Sequence, residues 1–187
     1  MTGIVNSTGA KSGIIGTTVG TPVTDLATAT FPDGHIIRVE TYDIGRATVT
    51  LQNWEDDDTV PLIDEGSEIF SQAYTPSTGD CDLLIEATIK VGEHDNVSND
   101  MGVGLFISDN TNALQVQDSL TGYGAIHNAI LTIRHKIASW GTSAKTFSLR
   151  VQGVTRLNYS NASYDYATAK YTAAAYISLF VIKEIKS

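Results

Sequence analysis

Leu84-Ile85-Glu86-Ala87-Thr88-Ile89-Lys90-Val91 alternates between apolar and polar side chains from Ile85 onward. Ile85, Ala87, Ile89 and Val91 fall on one face, and Glu86, Thr88 and Lys90 on the other. A period of two belongs to a half-buried β-strand, because successive Cβ atoms point to opposite sides of the pleat. The pattern recurs downstream. Leu131, Ile133, His135 and Ile137 alternate with Thr132, Arg134 and Lys136, and Phe147, Leu149 and Val151 alternate with Ser148, Arg150 and Gln152. Further strands are expected at Ile36–Tyr42, Arg46–Gln52, Glu68–Tyr74, Met101–Ser108, Ala113–Gln117, Arg156–Tyr159 and Tyr176–Ile185. The breaks carry turn chemistry: Pro32-Asp33-Gly34, Asp43-Ile44-Gly45, Thr78-Gly79-Asp80 and Ser108-Asp109-Asn110-Thr111-Asn112. Asp165–Ala175 is rich in Ala but has no apolar stripe, so it reads as a loop. Many short strands with turns at this spacing predict an all-β chain, a jelly-roll-like antiparallel β-sandwich.

The start of the chain has a different composition. Residues 1–24, MTGIVNSTGAKSGIIGTTVGTPVT, hold five Gly, six Thr, two Ser and one Pro, and their only charged side chain is Lys11. The apolar residues come as isolated pairs, Ile4-Val5 and Ile14-Ile15. Ordering a backbone costs about 1–2 kcal/mol per residue, which such a segment cannot offset by burying its own surface. The expected organisation is an extended N-terminal anchoring arm, residues 1–30, followed by a β-sandwich domain, residues 31–187. The arm residues expected to make contact are Ile4, Val5, Asn6, Ile14 and Ile15.

Composition narrows the function. With one cysteine, Cys81, the chain can form no internal disulfide and no cysteine-rich metal site. A net charge of −9 argues against nucleic acid, which requires a basic face. It suits solubility and exposure on the outside of a particle. No apolar run approaches the roughly 20 residues of a membrane helix, and no basic-then-apolar leader opens the sequence. The reading therefore has no membrane and no nucleic-acid partner.

Known catalytic motifs are absent from the sequence, and no cofactor is expected. His35, His94, His127 and His135 lack metal-ligand spacing, and His135 reads as a hydrogen-bonded core residue of its strand. Gly102-Val103-Gly104 sits inside a strand pattern, where close packing is the expected role. Two acidic stretches, Glu55-Asp56-Asp57-Asp58 and Asp95-Asn96-Val97-Ser98-Asn99-Asp100, read as solvated turns, although oxygen-rich loops are also the material of calcium sites. Four Asn-x-Ser/Thr tripeptides, starting at Asn6, Asn96, Asn158 and Asn161, read as chance matches.

Two features suggest contact surfaces. The closing strand, Tyr176-Ile177-Ser178-Leu179-Phe180-Val181-Ile182, is apolar on both sides. A strand in a two-layer sandwich should have one wet face, so Tyr176, Phe180 and Ile182 are expected at a subunit interface. Tyr159, Tyr164, Tyr166 and Tyr171 cluster among small polar residues. Their flat rings with polar tips suit a partner or a glycan.

Gly3-Ile4-Val5-Asn6-Ser7-Thr8-Gly9-Ala10 and Ser12-Gly13-Ile14-Ile15-Gly16-Thr17-Thr18 resemble the N-termini of virion structural proteins of tailed phages, especially those of marine bacteria and cyanobacteria. Phe147-Ser148-Leu149-Arg150-Val151-Gln152-Gly153, then Leu157-Asn158-Tyr159-Ser160, and a closing strand ending Ile182-Lys183-Glu184-Ile185, are similar to the same proteins. The resemblance spans about the first twenty and the last forty residues. It implies a particle protein with a jelly-roll-like domain, often trimeric. The chain departs from long tail fibres in having no repeats and no heptads, which favours a compact knob. The favoured expectation is a non-enzymatic capsid decoration (cement) protein on the particle exterior, anchored by its arm to a major capsid protein. The alternative is a tail-appendage or tail-fibre knob, partnered by a tail-appendage protein, that binds host surface glycan. A depolymerase using the acidic loops is a third, weaker reading.

Overall fold

The computed structural model describes residues 32–45, 47–50, 52–55, 57, 59–92, 101–119, 128–154, 156–157 and 178–187. The expected arm lies outside these residues. Among them there is no helix. The strands in order are β1 (Ile36–Ile44), β2 (Ala47–Thr48), β3 (Ser67–Tyr74), β4 (Cys81–Gly92), β5 (Met101–Ile107), β6 (Gln115–Ser119), β7 (Asn128–Ile137), β8 (Lys145–Gln152), β9 (Arg156–Leu157) and β10 (Ser178–Lys186).

Eight long strands form two antiparallel sheets. The first runs β1-β10-β4-β7, and the second runs β3-β8-β5-β6. The short pair β9 and β2 extends the first sheet, with β9 on the edge of β4 past the end of β10. Pairing is nested: β1 with β10, β3 with β8, β4 with β7, and β5 with β6. The chain is thus one long antiparallel ribbon folded over so that its successive strand pairs alternate between sheets. That is the jelly roll. The expected β-sandwich is what the molecule adopts.

The alternation read from the sequence is what buries the core. From the first sheet, Leu83, Ile85, Ala87, Ile89 and Val91 of β4 and Leu131 and Ile133 of β7 face inward. From the second, Met101, Val103, Leu105 and Ile107 of β5 meet them, with Phe147, Leu149 and Val151 of β8. Each large side chain taken out of water contributes about 1.5–3 kcal/mol.

The closing strand corrects one expectation. Phe180 and Ile182 are fully buried inside this single sandwich, so they are not available to a subunit interface. Phe180 packs against Phe70 at a ring separation of 4.7 Å, Phe147 at 6.0 Å and Tyr42 at 6.4 Å. The strand turns this face into the core and its other face outward. Its outward residues Leu179 and Val181 share a partly exposed face with Lys183, which pairs with Glu86. Tyr176, the third expected interface residue, lies outside the described residues.

The second sheet is covered on its far side too, which the strand pattern did not foretell. Every residue of β5 is buried. Phe106 points away from the main core, yet it is completely inaccessible. The connection between β2 and β3 crosses this outer face and hydrogen-bonds to the β5–β6 loop. Ile63 donates to the Thr111 carbonyl at 2.7 Å, and Ala113 to that of Pro61 at 2.9 Å. Trp54 of this overlay lies against Gly102, where an added Cβ would meet its ring at 2.7 Å. At Gly104 the same position is filled by the ring of Phe106. The close packing expected of Gly102-Val103-Gly104 is therefore against aromatic rings.

Candidate functional site

Two regions carry concentrated chemistry. The first is a buried carboxylate that fastens β1. Glu184 on β10 is in phase with Phe180 and Ile182, so the strand period drives it inward among the core residues. A buried carboxylate is tolerable only when fully hydrogen-bonded. Glu184 accepts from the Tyr74 hydroxyl at 2.7 Å, the Ser77 amide at 2.8 Å, the Ser77 hydroxyl, and Arg38 Nη1 at 3.3 Å. Burial pushes its pKa upward, but these donors outweigh it and hold the group below the usual carboxylate range. Burial and the bond to Glu184 push the Tyr74 phenol far above its ordinary value, so it stays a donor.

Arg38 spreads the network along β1. Its guanidinium stands 5.2 Å from the centre of the Tyr74 ring, donates to the Thr75 carbonyl at 3.2 Å and pairs with Glu40. Glu40 in turn accepts from Tyr42, whose pKa is pushed up to about 12 by burial and by that carboxylate. Gly34 and His35 continue the pairing onto Lys186, at 2.7 and 2.8 Å. The strand that leads directly from residues 1–30 is thus tied to β10 and to the β3–β4 loop. This arrangement holds rather than reacts. Glu184 is completely inaccessible and engaged on both oxygens.

The second region is a cleft of about 490 Å³ between the β5–β6 and β7–β8 loops, where the edges of the two sheets meet. Ile107, Leu114 and Ile137 give it an apolar lining. One wall is held from behind by Asp82, which accepts from the Ser139 amide at 3.0 Å and pairs with Lys136 at 2.7 Å. Those two contacts, Lys136 first, hold Asp82 below its usual pKa. Ser139 takes φ +51°, the only non-glycine among the described residues in that region of backbone space. Opposite, Lys145 is fixed by Asp109 at 2.7 Å and stands 4.8 Å from the centre of the Trp140 ring.

The residues singled out from the sequence distribute as follows. Ile4, Val5, Asn6, Ile14 and Ile15 lie outside the described residues, as do Tyr159, Tyr164, Tyr166, Tyr171, His94, His127 and the stretch from Asp95 to Asp100. His35 sits at the turn before β1, its ring 3.2 Å from the Pro32 carbonyl. His135 departs from the expected hydrogen-bonded core residue. Although in phase with Leu131 and Ile133, it is half-buried on an edge strand and lines the cleft. Burial lowers its pKa, which favours the neutral ring. Cys81 is buried, and burial raises its pKa, which suits a packing residue and not a nucleophile.

In the first acidic stretch, Asp57 closes a local turn by accepting from the amide and hydroxyl of Thr59 at 2.8 and 2.7 Å. Among the described residues, no three His, Cys, Asp or Glu are grouped to hold a metal ion. Neither Glu184 nor the cleft was found from the sequence. The signal for Glu184 was legible: it is a carboxylate at the i+2 position from Ile182 on the apolar face of the closing strand. Comparison with protein-family models and with curated proteins finds no match to this chain.

Proposed function

We propose that this chain is a non-enzymatic structural protein of a virus particle, a capsid decoration (cement) protein of a tailed phage that anchors by its N-terminal arm. The observation that carries the reading is the fastening of β1. The arm composition of residues 1–30 leads into an edge strand fixed by a fully engaged buried carboxylate. A tether that bears load needs such a mooring, because force on the arm enters the domain through β1. The jelly-roll body and the net charge of −9 suit a knob displayed on the particle exterior.

An extended arm of 24 residues reaches roughly 80 Å at about 3.3 Å per residue, enough to cross a junction between capsid subunits. Its partner is then the major capsid protein, along whose strand edges a Gly- and Thr-rich backbone can lie. A trimer remains part of the proposal, with the outward face of β10, Leu179 and Val181, taking the interface role that Phe180 and Ile182 cannot fill.

Deleting residues 1–24 should leave the sandwich folded by circular dichroism and abolish incorporation into particles. Particles without the protein should release DNA at lower temperature while still adsorbing to cells. A truncated chain that decorates particles at full occupancy would refute the anchoring role. Particles that keep their heat resistance but fail to adsorb would instead favour the tail-appendage knob.

A further inference from the structure

We propose that the cleft between the β5–β6 and β7–β8 loops binds a neutral saccharide. This goes beyond the particle role and holds wherever on a particle the domain sits. Its size, about 490 Å³, falls in the range of small-ligand sites. Its charges cancel in place. Lys136 is paired with Asp82 at 2.7 Å, and Lys145 with Asp109 at 2.7 Å. With each ammonium balanced by a carboxylate, the cleft presents no net charge, which suits an uncharged ligand.

The polar groups left facing the cleft suit hydroxyls. The Asn110 side-chain oxygen accepts from the Asn112 amide at 3.3 Å, while its amide nitrogen has no partner among the described residues. The Ser139 hydroxyl and the His135 ring also have none, and both line the cleft. Ser139, His135 and Asn110 thus offer donors and acceptors around the apolar patch of Ile107, Leu114 and Ile137. A pyranose matches that combination, with hydroxyls at its rim and C–H groups on its face. Ser139 itself is held at φ +51° by Asp82 behind it. Backbone strain of this kind persists only where surrounding structure fixes it, and it recurs at ligand sites.

The test is saturation-transfer NMR on the full chain with neutral hexoses, N-acetylhexosamines and their disaccharides, beside uronic acids and sugar phosphates. At least one neutral sugar should show transfer at about 10 mM, a range reached by weak single sites. Asn110→Ala and Ser139→Gly should each weaken it about three- to ten-fold, the loss expected for one hydrogen bond. Ser139→Gly is suited to the positive φ and so retains the fold. Arg134→Ala, on the outer face of the first sheet, should change nothing. The proposal is overturned if no neutral sugar shows transfer, if binding survives both cleft substitutions unchanged, or if the charged sugars bind more tightly than the neutral ones.

Discussion

Replacing Glu184 with Ala removes an acceptor from the Tyr74 hydroxyl, the Ser77 amide, the Ser77 hydroxyl and the Arg38 guanidinium at once. Each buried donor left unpaired costs about 1–3 kcal/mol, and breaking a buried ion pair from one side about 3–5 kcal/mol. These do not add in full, because the Arg38 side chain is 37 % exposed and water can take over part of its solvation. A net loss of about 3–4 kcal/mol follows, a large share of the roughly 5–15 kcal/mol that holds a typical domain. Glu184→Gln keeps one oxygen acceptor and should lose about half as much. Tyr74→Phe deletes a single donor and should cost about 1 kcal/mol.

Urea unfolding followed by tryptophan fluorescence measures all three variants. The folded pKa of Glu184 lies below its unfolded value, so its contribution is complete above the ordinary carboxylate range. It is lost as the pH falls through the depressed folded value. The wild type should therefore lose stability on acidification more steeply than Glu184→Gln. An Ala variant within about 0.5 kcal/mol of the parent, or parallel acid curves for wild type and Gln, would show that the network holds nothing.

Gly102→Ala places a methyl 2.7 Å from the Trp54 ring and should destabilise by about 1–3 kcal/mol, with red-shifted tryptophan emission reporting the displaced overlay. Phe180→Ala should cost about 3–5 kcal/mol in thermal unfolding. Cys81 should resist iodoacetamide in the native protein at pH 8 and react after denaturation, because burial both shields the thiol and raises its pKa. Ser139→Gly should raise the unfolding midpoint, since relieving a left-handed non-glycine residue contributes about 1 kcal/mol.

What the sequence made legible follows from the period of two. Ile85, Ala87, Ile89 and Val91 were placed on the core face by alternation alone, and they are there. Phe180 and Ile182 show where that reasoning stops. Alternation says that two faces are apolar but not what covers each one, which depends on what distant parts of the chain lay against that face. β10 lies between β1 and β4, strands far away in the chain. β5 fails for a related reason. Its outer face is covered by the β2–β3 connection, and nothing local in Met101–Ile107 announces a Trp from fifty residues earlier. The cleft was invisible because its walls come from two loops brought together by the nesting of the ribbon.

That nesting also sets the timing of folding. Among the described residues β1 pairs with β10, and Arg38 meets Glu184 across 146 residues of chain. During synthesis, β1 emerges long before β10, while the β4–β7 and β5–β6 pairs, much closer in sequence, can already form. Long-range pairing of this kind makes folding slow, and the interval exposes unpaired strand edges. The first sheet closes only when β10 slides between β1 and β4 and delivers its carboxylate to the waiting arginine and tyrosine. A nascent chain halted before Ser178 should consequently be a target for chaperones and proteases, with the edge of β4 open to any strand that reaches it first.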